Sequence, residues 1–226
     1  MAQTTGAARV YELAPNSALP ALRSIRKRYR VTKRFLDIFA SILLLLLAFP
    51  IFLLIALAIR LTSKGPVLYK SSRVGLGGQE FGFIKFRSMY LDADRRLSEL
   101  AELNEKDGPI FKMKNDPRVT KVGRFLRKYS LDELPQLFHV LTGQMSLVGP
   151  RPPLPHEVRC YDDRCMVRLS VKPGITCFWQ VMGRSSLTFD EWMELDRRYV
   201  EEMSFWTDLE ILLRTPQAVL RGSGAY

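Results

Sequence analysis

From Ile38 to Ile59 the chain carries no charged residue and consists mostly of Leu, Ile, Ala and Phe. At about 1.5 Å per helical residue, such a run matches a hydrocarbon core of roughly 30 Å, so it belongs in a membrane. It is too long for the apolar core of a cleaved signal peptide, and no small-residue cleavage site follows it. Both flanks are basic. No acid interrupts the seven cations between Arg23 and Arg34, and Arg60, Lys64, Lys70 and Arg73 come before the next acid, Glu80. The positive-inside rule places both ends on the cytoplasmic side. Pro50 removes one helical hydrogen bond near the middle of the run and favours a kink there. Two arms of about a dozen residues, each roughly 18 Å, can dip into one leaflet and return. The alternative is an ordinary spanning helix with a proline kink, which hydropathy alone favours.

This run divides the chain into a mobile tail over 1–22, a basic flank with the membrane segment over 23–64, and a cytosolic domain over 65–226. The formal net charge is +11, from 34 Lys and Arg against 23 Asp and Glu. That excess calls for an anionic partner: nucleic acid, a membrane surface or a phosphorylated substrate. Cys160, Cys165 and Cys177 are odd in number and lack paired C-x2-C spacing. They read as reduced, buried thiols in a cytosolic setting rather than a zinc site.

The chemistry concentrates between Arg124 and Pro152, where Asp132 and Glu133 sit between two clusters of cations. Leu131, Leu134, Leu137, Phe138 and Leu141 recur at helical spacing and predict a short amphipathic helix ending at Gly143. The two acids then lie at its N-terminal end, where backbone N–H groups also face any phosphate brought alongside. Ser130 to Glu133 alone reads as a capping box. Pro135 argues for a later or distorted helix start, because its missing N–H is tolerated only in the first turn. Arg124 and Arg127 precede the acids, and Arg151 follows between Pro150 and Pro152. Such guanidinium forks suit phosphate.

Elsewhere, Val67 to Arg73 and Phe81 to Met89 predict strands joined by a glycine-rich hairpin. Gly75, Gly77, Gly78 and Gly82 meet no nucleotide-loop spacing. Under strand spacing Phe81, Phe83, Lys85 and Arg87 share a face, which brings Lys85 within reach of an anion. Leu91 to Glu105 predicts an exposed amphipathic helix, followed by a loop over Gly108 to Asp116. Tyr161 to Leu169 predicts a helix, and its Asp162-Asp163 pair lacks the flanking pattern of a metal site. Phe178 to Val181 with Gly183-Arg184 reads as strand and loop. Phe189 to Tyr199 and Phe205 to Leu220 predict two further helices, the second amphipathic enough to lie on a membrane. The fold class is therefore α+β, mainly helical, with an N-terminal membrane helix, re-entrant or spanning, a cytosolic domain and interfacial helices.

The blocks KRFLDI, KFRSM, NDPRVTKVGRFLRKYSLDELPQLF, GQMSLVGPRP, KPGIT, WQVMGR and DLEIL run in order from roughly Lys33 to Leu213. In these blocks the chain resembles the monotopic phosphoglycosyl transferases, bacterial sugar transferases that start surface glycans. The resemblance implies transfer of a sugar 1-phosphate from a UDP-sugar to polyprenyl phosphate, giving a polyprenyl diphosphate sugar and UMP. It makes Asp132 the nucleophile of a phospho-aspartate intermediate, with Glu133 the second member of the dyad. Glu133 then positions metal or phosphate, or handles a proton in the second step. It also implies Mg2+, held by Asp132 and Glu133. Lys85, Arg127, Arg151 and Arg184 match positions near the phosphates and nucleotide, and Asp208 matches one at the metal or nucleotide end. For the arginines, the competing explanation is ion pairing with Asp and Glu.

The resemblance further implies the re-entrant helix, an anionic phospholipid bilayer as partner, and the cytosolic face of the bacterial inner membrane. It leaves a homo-oligomer open. Two departures stand out: Phe49 precedes Pro50 where some relatives place Ser, and the large N-terminal membrane domain of longer relatives is absent. The segment from Tyr90 to Lys114, with GPIFKMKND, is closer to the glucose- and galactose-phosphate transferases than to the diacetamido-sugar branch. A non-catalytic membrane-anchored adaptor explains the basic flanks but not the Asp132-Glu133 constellation. A nucleic-acid binder ranks below both, and its salt dependence on DNA would expose it.

Overall fold

The computed structural model describes residues 27–222. The tail expected over 1–22, and the cations up to Arg26, lie outside the described residues. The first element, helix α1 (Lys27–Thr62), contains the whole apolar run and carries Pro50 within it. A hairpin follows, with strand β1 (Leu68–Val74) antiparallel to β2 (Glu80–Phe86). Its turn is closed by Gly77 and Gly78 in the left-handed region, as the glycine-rich hairpin requires.

After a 3-10 stretch at Arg95–Leu103 comes α2 (Lys121–Lys128). A 3-10 segment at Leu131–Gln136 then runs directly into α3 (Leu137–Thr142), which Gly143 ends at φ 85°. Strand β3 (Ser146–Val148) pairs in parallel with β4 (Gly174–Thr176), and the short helices α4 (Pro155–Val158) and α5 (Asp163–Met166) lie between them. Helices α6 (Phe178–Met182), α7 (Phe189–Glu202) and α8 (Phe205–Arg221) complete a mostly helical architecture.

One stripe of α1 packs on the rest of the molecule. Asp37, Ser41, Ala48, Ile55 and Ile59 are buried, and Leu45 and Phe52 between them are half-buried, which is the recurrence of a single helix face. At the N-terminal end Arg34 donates to the carbonyls of Val140 and Leu141, where the last turn of α3 leaves acceptors free. Asp37 accepts from Ser146 Oγ at 3.1 Å and Leu147 N at 3.0 Å. At the other end Arg87 donates to the carbonyls of Ser63, Lys64 and Pro66 at 3.0, 2.6 and 2.7 Å. Between these anchors Ile55 and Ile59 join Phe86 and Leu126, with Leu131 and Leu134 packed alongside. Burying each isoleucine stabilises the fold by about 1.5–3 kcal/mol. The opposite face leaves Phe35, Phe39, Leu46, Leu47, Leu54 and Leu61 exposed. That area far exceeds the scattered apolar residues of a water-soluble surface.

Three expectations need correction. The helix predicted over Leu91 to Glu105 is instead a turn followed by a 3-10 stretch at Arg95–Leu103, which has no buried residue. Without a packed face, little favours the longer α-helix. Phe178 to Val181 is helical rather than extended, and the strand falls earlier, at Gly174–Thr176. A strand would not place Phe178 edge-on to Tyr199, at 6.3 Å between ring centroids, inside the main core. Of the cysteines, only Cys177 is buried; Cys160 is exposed and Cys165 half-buried, and all are free.

Gly123 sets how closely α2 approaches the chain leaving β2. A Cβ there would stand 1.9 Å from the carbonyl oxygen of Ser88, which also accepts from Thr120 N at 3.0 Å. Gly123→Ala is therefore expected to cost about 1–3 kcal/mol and lower the thermal midpoint of the detergent-solubilised protein by several degrees. An unchanged midpoint would mean that this close approach is not held.

Candidate active site

The acids do not form the capping box that the sequence offers. Ser130 adopts left-handed backbone, φ 53°, and makes no side-chain cap. A non-glycine residue there stores strain that surrounding contacts must hold. The conformation turns the chain sharply from α2 into the 3-10 segment, which accommodates Pro135 as no regular helix interior would. It directs the Ser130 hydroxyl to accept from Arg184 Nη2, at 3.5 Å. Arg184 is itself left-handed, φ 51°, buried, and donates from Nε to Gln180 O at 3.2 Å.

The 3-10 segment packs against β2 and lines an open cleft of about 150 Å³. Asp132, Glu133, Lys85, Arg127, Arg151 and Arg184 all line it, with Arg73 and Lys112 added. Six cations thus face two carboxylates. Asp132 is 5 % exposed. Burial first, and the Asp132 charge second, push the Glu133 carboxyl up from the usual range, against the cations of Lys85, Arg151 and Arg184. Burial pushes Lys85 down, opposed by the Asp132 carboxylate. Lys112, 4.6 Å over the Trp179 ring, is pushed down to about 7 by burial and then by Arg151 and Arg127. A carboxyl raised and an amine lowered within one cleft form an environment suited to moving protons and taking up an anion.

Arg151 is held from several sides. Its carbonyl accepts from Arg168 Nη2 at 2.8 Å, its guanidinium lies 5.6 Å from the Trp192 centroid, and Nη1 is 3.6 Å from Glu157. Arg168 forms a buried ion pair with Asp196 at 2.7 Å and donates to Tyr161 OH at 2.6 Å. Ion pairing thus accounts loosely for Arg151. Among the described residues no carboxylate pairs with Arg127 or Arg184.

Asp208 is not brought to the cleft. It accepts from Lys33 Nζ at 2.6 Å, Tyr29 OH at 2.7 Å and Tyr199 OH at 2.9 Å, tying the first turn of α8 to α1. Arg124 is exposed and does not line the cleft. Asp162 caps α5 by accepting from Cys165 N at 2.9 Å, so its pairing with Asp163 needs no metal. Among the described residues no cluster of three or more His, Cys, Asp or Glu could hold a metal. The Asp132-Glu133 pair still suits Mg2+, which commonly takes one or two carboxylates and completes its shell with substrate phosphate and water. Sequence reasoning left Lys112 inside an unassigned insert and missed the Arg168-Asp196 support. The insert's resemblance to sugar-phosphate transferases was the available signal for Lys112.

Residues 28–222 match the model of the family described as bacterial sugar transferase. The chain belongs to that family. It is 44 % identical over 206 residues to a protein named galactosyl transferase CpsE from Streptococcus agalactiae, covering 91 % of this chain and 46 % of the relative. With an undecaprenyl-phosphate galactose phosphotransferase of Salmonella typhimurium the identity is 46 % over 209 residues, 89 % of this chain and 43 % of the relative. Exopolysaccharide production protein ExoY of Rhizobium meliloti is 40 % identical over 200 residues, covering 87 % of this chain and 88 % of its own length. The chain therefore spans less than half of the first two relatives and most of the third.

The Arg168-Asp196 pair should behave as a buried charge couple. Arg168→Met alone is expected to destabilise by about 3–5 kcal/mol, because it strands a buried carboxylate, and the double change Arg168→Met/Asp196→Leu to recover most of that loss. Thermal unfolding of the three proteins measures it. Equal loss in the single and double variants would show that the pair is uncoupled.

Proposed function

We propose that the chain transfers a sugar 1-phosphate from a UDP-sugar, glucose or galactose favoured, to undecaprenyl phosphate. The observation that carries this reading is the surplus of six cations over two carboxylates in one cleft, with a buried aspartate among them. A diphosphate brings the negative charge that such a cleft lacks. The names of the Salmonella relative and of an undecaprenyl-phosphate glucose phosphotransferase from Komagataeibacter xylinus support the same substrates.

In this reading, Asp132 attacks the phosphorus bonded to the sugar. The bond from that phosphorus to the bridging oxygen breaks, and UMP leaves with the electron pair. An oxygen of the lipid phosphate then attacks the same phosphorus, and the Asp132 carboxylate departs intact. Splitting the transfer gives two displacements in place of one hard encounter between two anions. Arg127, Arg151, Arg184 and Lys85 bind and orient the phosphates, which is most of what phosphoryl transfer asks of a protein. Glu133, beside the nucleophile, is suited either to positioning metal or phosphate or to holding the proton released by the acceptor. Mg2+, held by Asp132 and Glu133, would supply further positive charge to the phosphate oxygens.

The same reading places the chain on the cytosolic face of the bacterial inner membrane, with α1 entering one leaflet and both its ends remaining on that face. Arg34 ties the start of α1, and Arg87 ties the residues just past its end, to one folded body, which supports this placement. A membrane-anchored adaptor explains the basic flanks, but it gives no reason to bury a carboxylate where anions would bind.

UMP release from a panel of UDP-sugars, in detergent with undecaprenyl phosphate and Mg2+, tests the chemistry. Asp132→Asn is expected to lower release about a thousandfold or more, and chelating Mg2+ to abolish it. Equal release from parent and variant would remove Asp132 from the mechanism, and no release from any donor would favour the adaptor. For topology, cysteines introduced at the exposed positions Arg30 and Lys64, in a chain with its native cysteines replaced, should both label only from the cytoplasmic side. Labelling from opposite sides would make α1 a spanning helix.

A further inference from the structure

We infer that the lipid-linked phosphate of the acceptor is received in a second cavity, between α6 and α8, and meets the donor's phosphate position at Arg184. This deepens the reading above and rests on it. The cavity has a volume of about 290 Å³ and is lined by Gln180, Met182, Arg184, Arg214, Gln217 and Arg221 among others, with no acid on its walls. Arg184 and Gln180 also line the active-site cleft, so the two spaces adjoin at those side chains. Three arginines, Arg184, Arg214 and Arg221, line this one space, and guanidinium forks suit a phosphate monoester. Arg214 additionally pairs with Glu210 at 2.8 Å, an exposed contact that a phosphate dianion can displace.

Helix α8 joins this cavity to an apolar surface. Arg214, Gln217 and Arg221 recur at helical spacing and face the cavity. Trp206, Leu213 and Leu220 recur at intervals of seven on the neighbouring face and are 74 %, 72 % and 74 % exposed. One ligand satisfies both faces, an anion with a long hydrocarbon tail; a nucleotide sugar has nothing to lay on the leucines. The chemistry of in-line displacement gives the shared residues a purpose. Asp132 attacks opposite the departing UMP, so the acceptor oxygen, attacking opposite the departing Asp132, must arrive on the side that UMP left. Both substrates therefore use one phosphate position in turn, while nucleoside and prenyl chain need separate room. Arg184 stands where the two rooms meet, fixed by its left-handed backbone and its hydrogen bond to Ser130.

The double variant Arg214→Gln/Arg221→Gln tests this in detergent micelles. The KM for undecaprenyl phosphate is expected to rise about tenfold, while the KM for the UDP-sugar moves less than twofold. Arg214→Lys/Arg221→Lys should recover much of the acceptor affinity, because lysine keeps the charge without the fork. An unchanged acceptor KM, or an equal rise in both KM values, would overturn the assignment. So would phosphatidylglycerol competing with the acceptor as well as undecaprenyl phosphate itself binds, since the cavity would then serve any anionic headgroup. Absence of UMP release by the parent would be seen before any variant was compared, and would overturn the underlying reaction and this cavity's role with it.

Discussion

The contact between α1 and the segment bearing Asp132 governs the rest of this structure. Ile55 and Ile59 from the apolar helix pack with Phe86 and Leu126, and Leu131 and Leu134 close the same cluster. Those two leucines bracket Asp132 and Glu133. A 3-10 segment containing a proline has little stability of its own. Its geometry is imposed from beneath by the membrane helix and from the side by β2. The hydrophobic effect thus fixes the position of the carboxylates, and polar groups are left free to meet a ligand.

A second layer of constraint holds the cations. Six like charges in one cleft repel one another, and burial raises the cost of each. The structure offsets this with contacts that do not use up the groups facing the cleft. Arg168 supports Arg151 through its carbonyl oxygen, Trp179 receives Lys112 on its ring face, and Ser130 accepts from Arg184. Burial first, and the neighbouring arginines after it, lower the affinity of Lys112 and Lys85 for protons, while Asp132 opposes the shift at Lys85. The diphosphate of the proposed donor would relieve such repulsion by bringing opposite charge among the cations.

Much of this was legible in the sequence because its causes are local or periodic. The uncharged run gave α1, glycine spacing gave the hairpin, strand alternation put Lys85 toward the site, and helical spacing gave α7 and α8. The gathering of Arg127, Asp132, Glu133 and Arg151 followed from nearness along the chain. What escaped depended on contacts between distant segments. The residues of DLEIL fit a functional motif, yet Asp208 is drawn to Lys33, Tyr29 and Tyr199, far from it in sequence. Ser130 had every local feature of an N-cap, but the turn from α2 and the donor from Arg184 chose a left-handed backbone. The pairing of Arg168 with Asp196 leaves no local trace at all, since neither neighbour in sequence hints at the other.

The packed stripe of α1 also bears on how separable the parts of this protein are. In many membrane enzymes an anchor is a tether, and the domain it carries keeps its fold when cut loose. Here the stripe from Asp37 to Ile59 is interior surface of the domain itself. A chain begun after Thr62 would lose Ile55 and Ile59, lose the hydrogen bonds of Arg34 to α3 and of Asp37 to β3, and open the underside of the Asp132 segment to water. Modularity ends at this boundary: the lipid-facing helix and the polar cleft are two surfaces of one body, and neither has been built to exist alone.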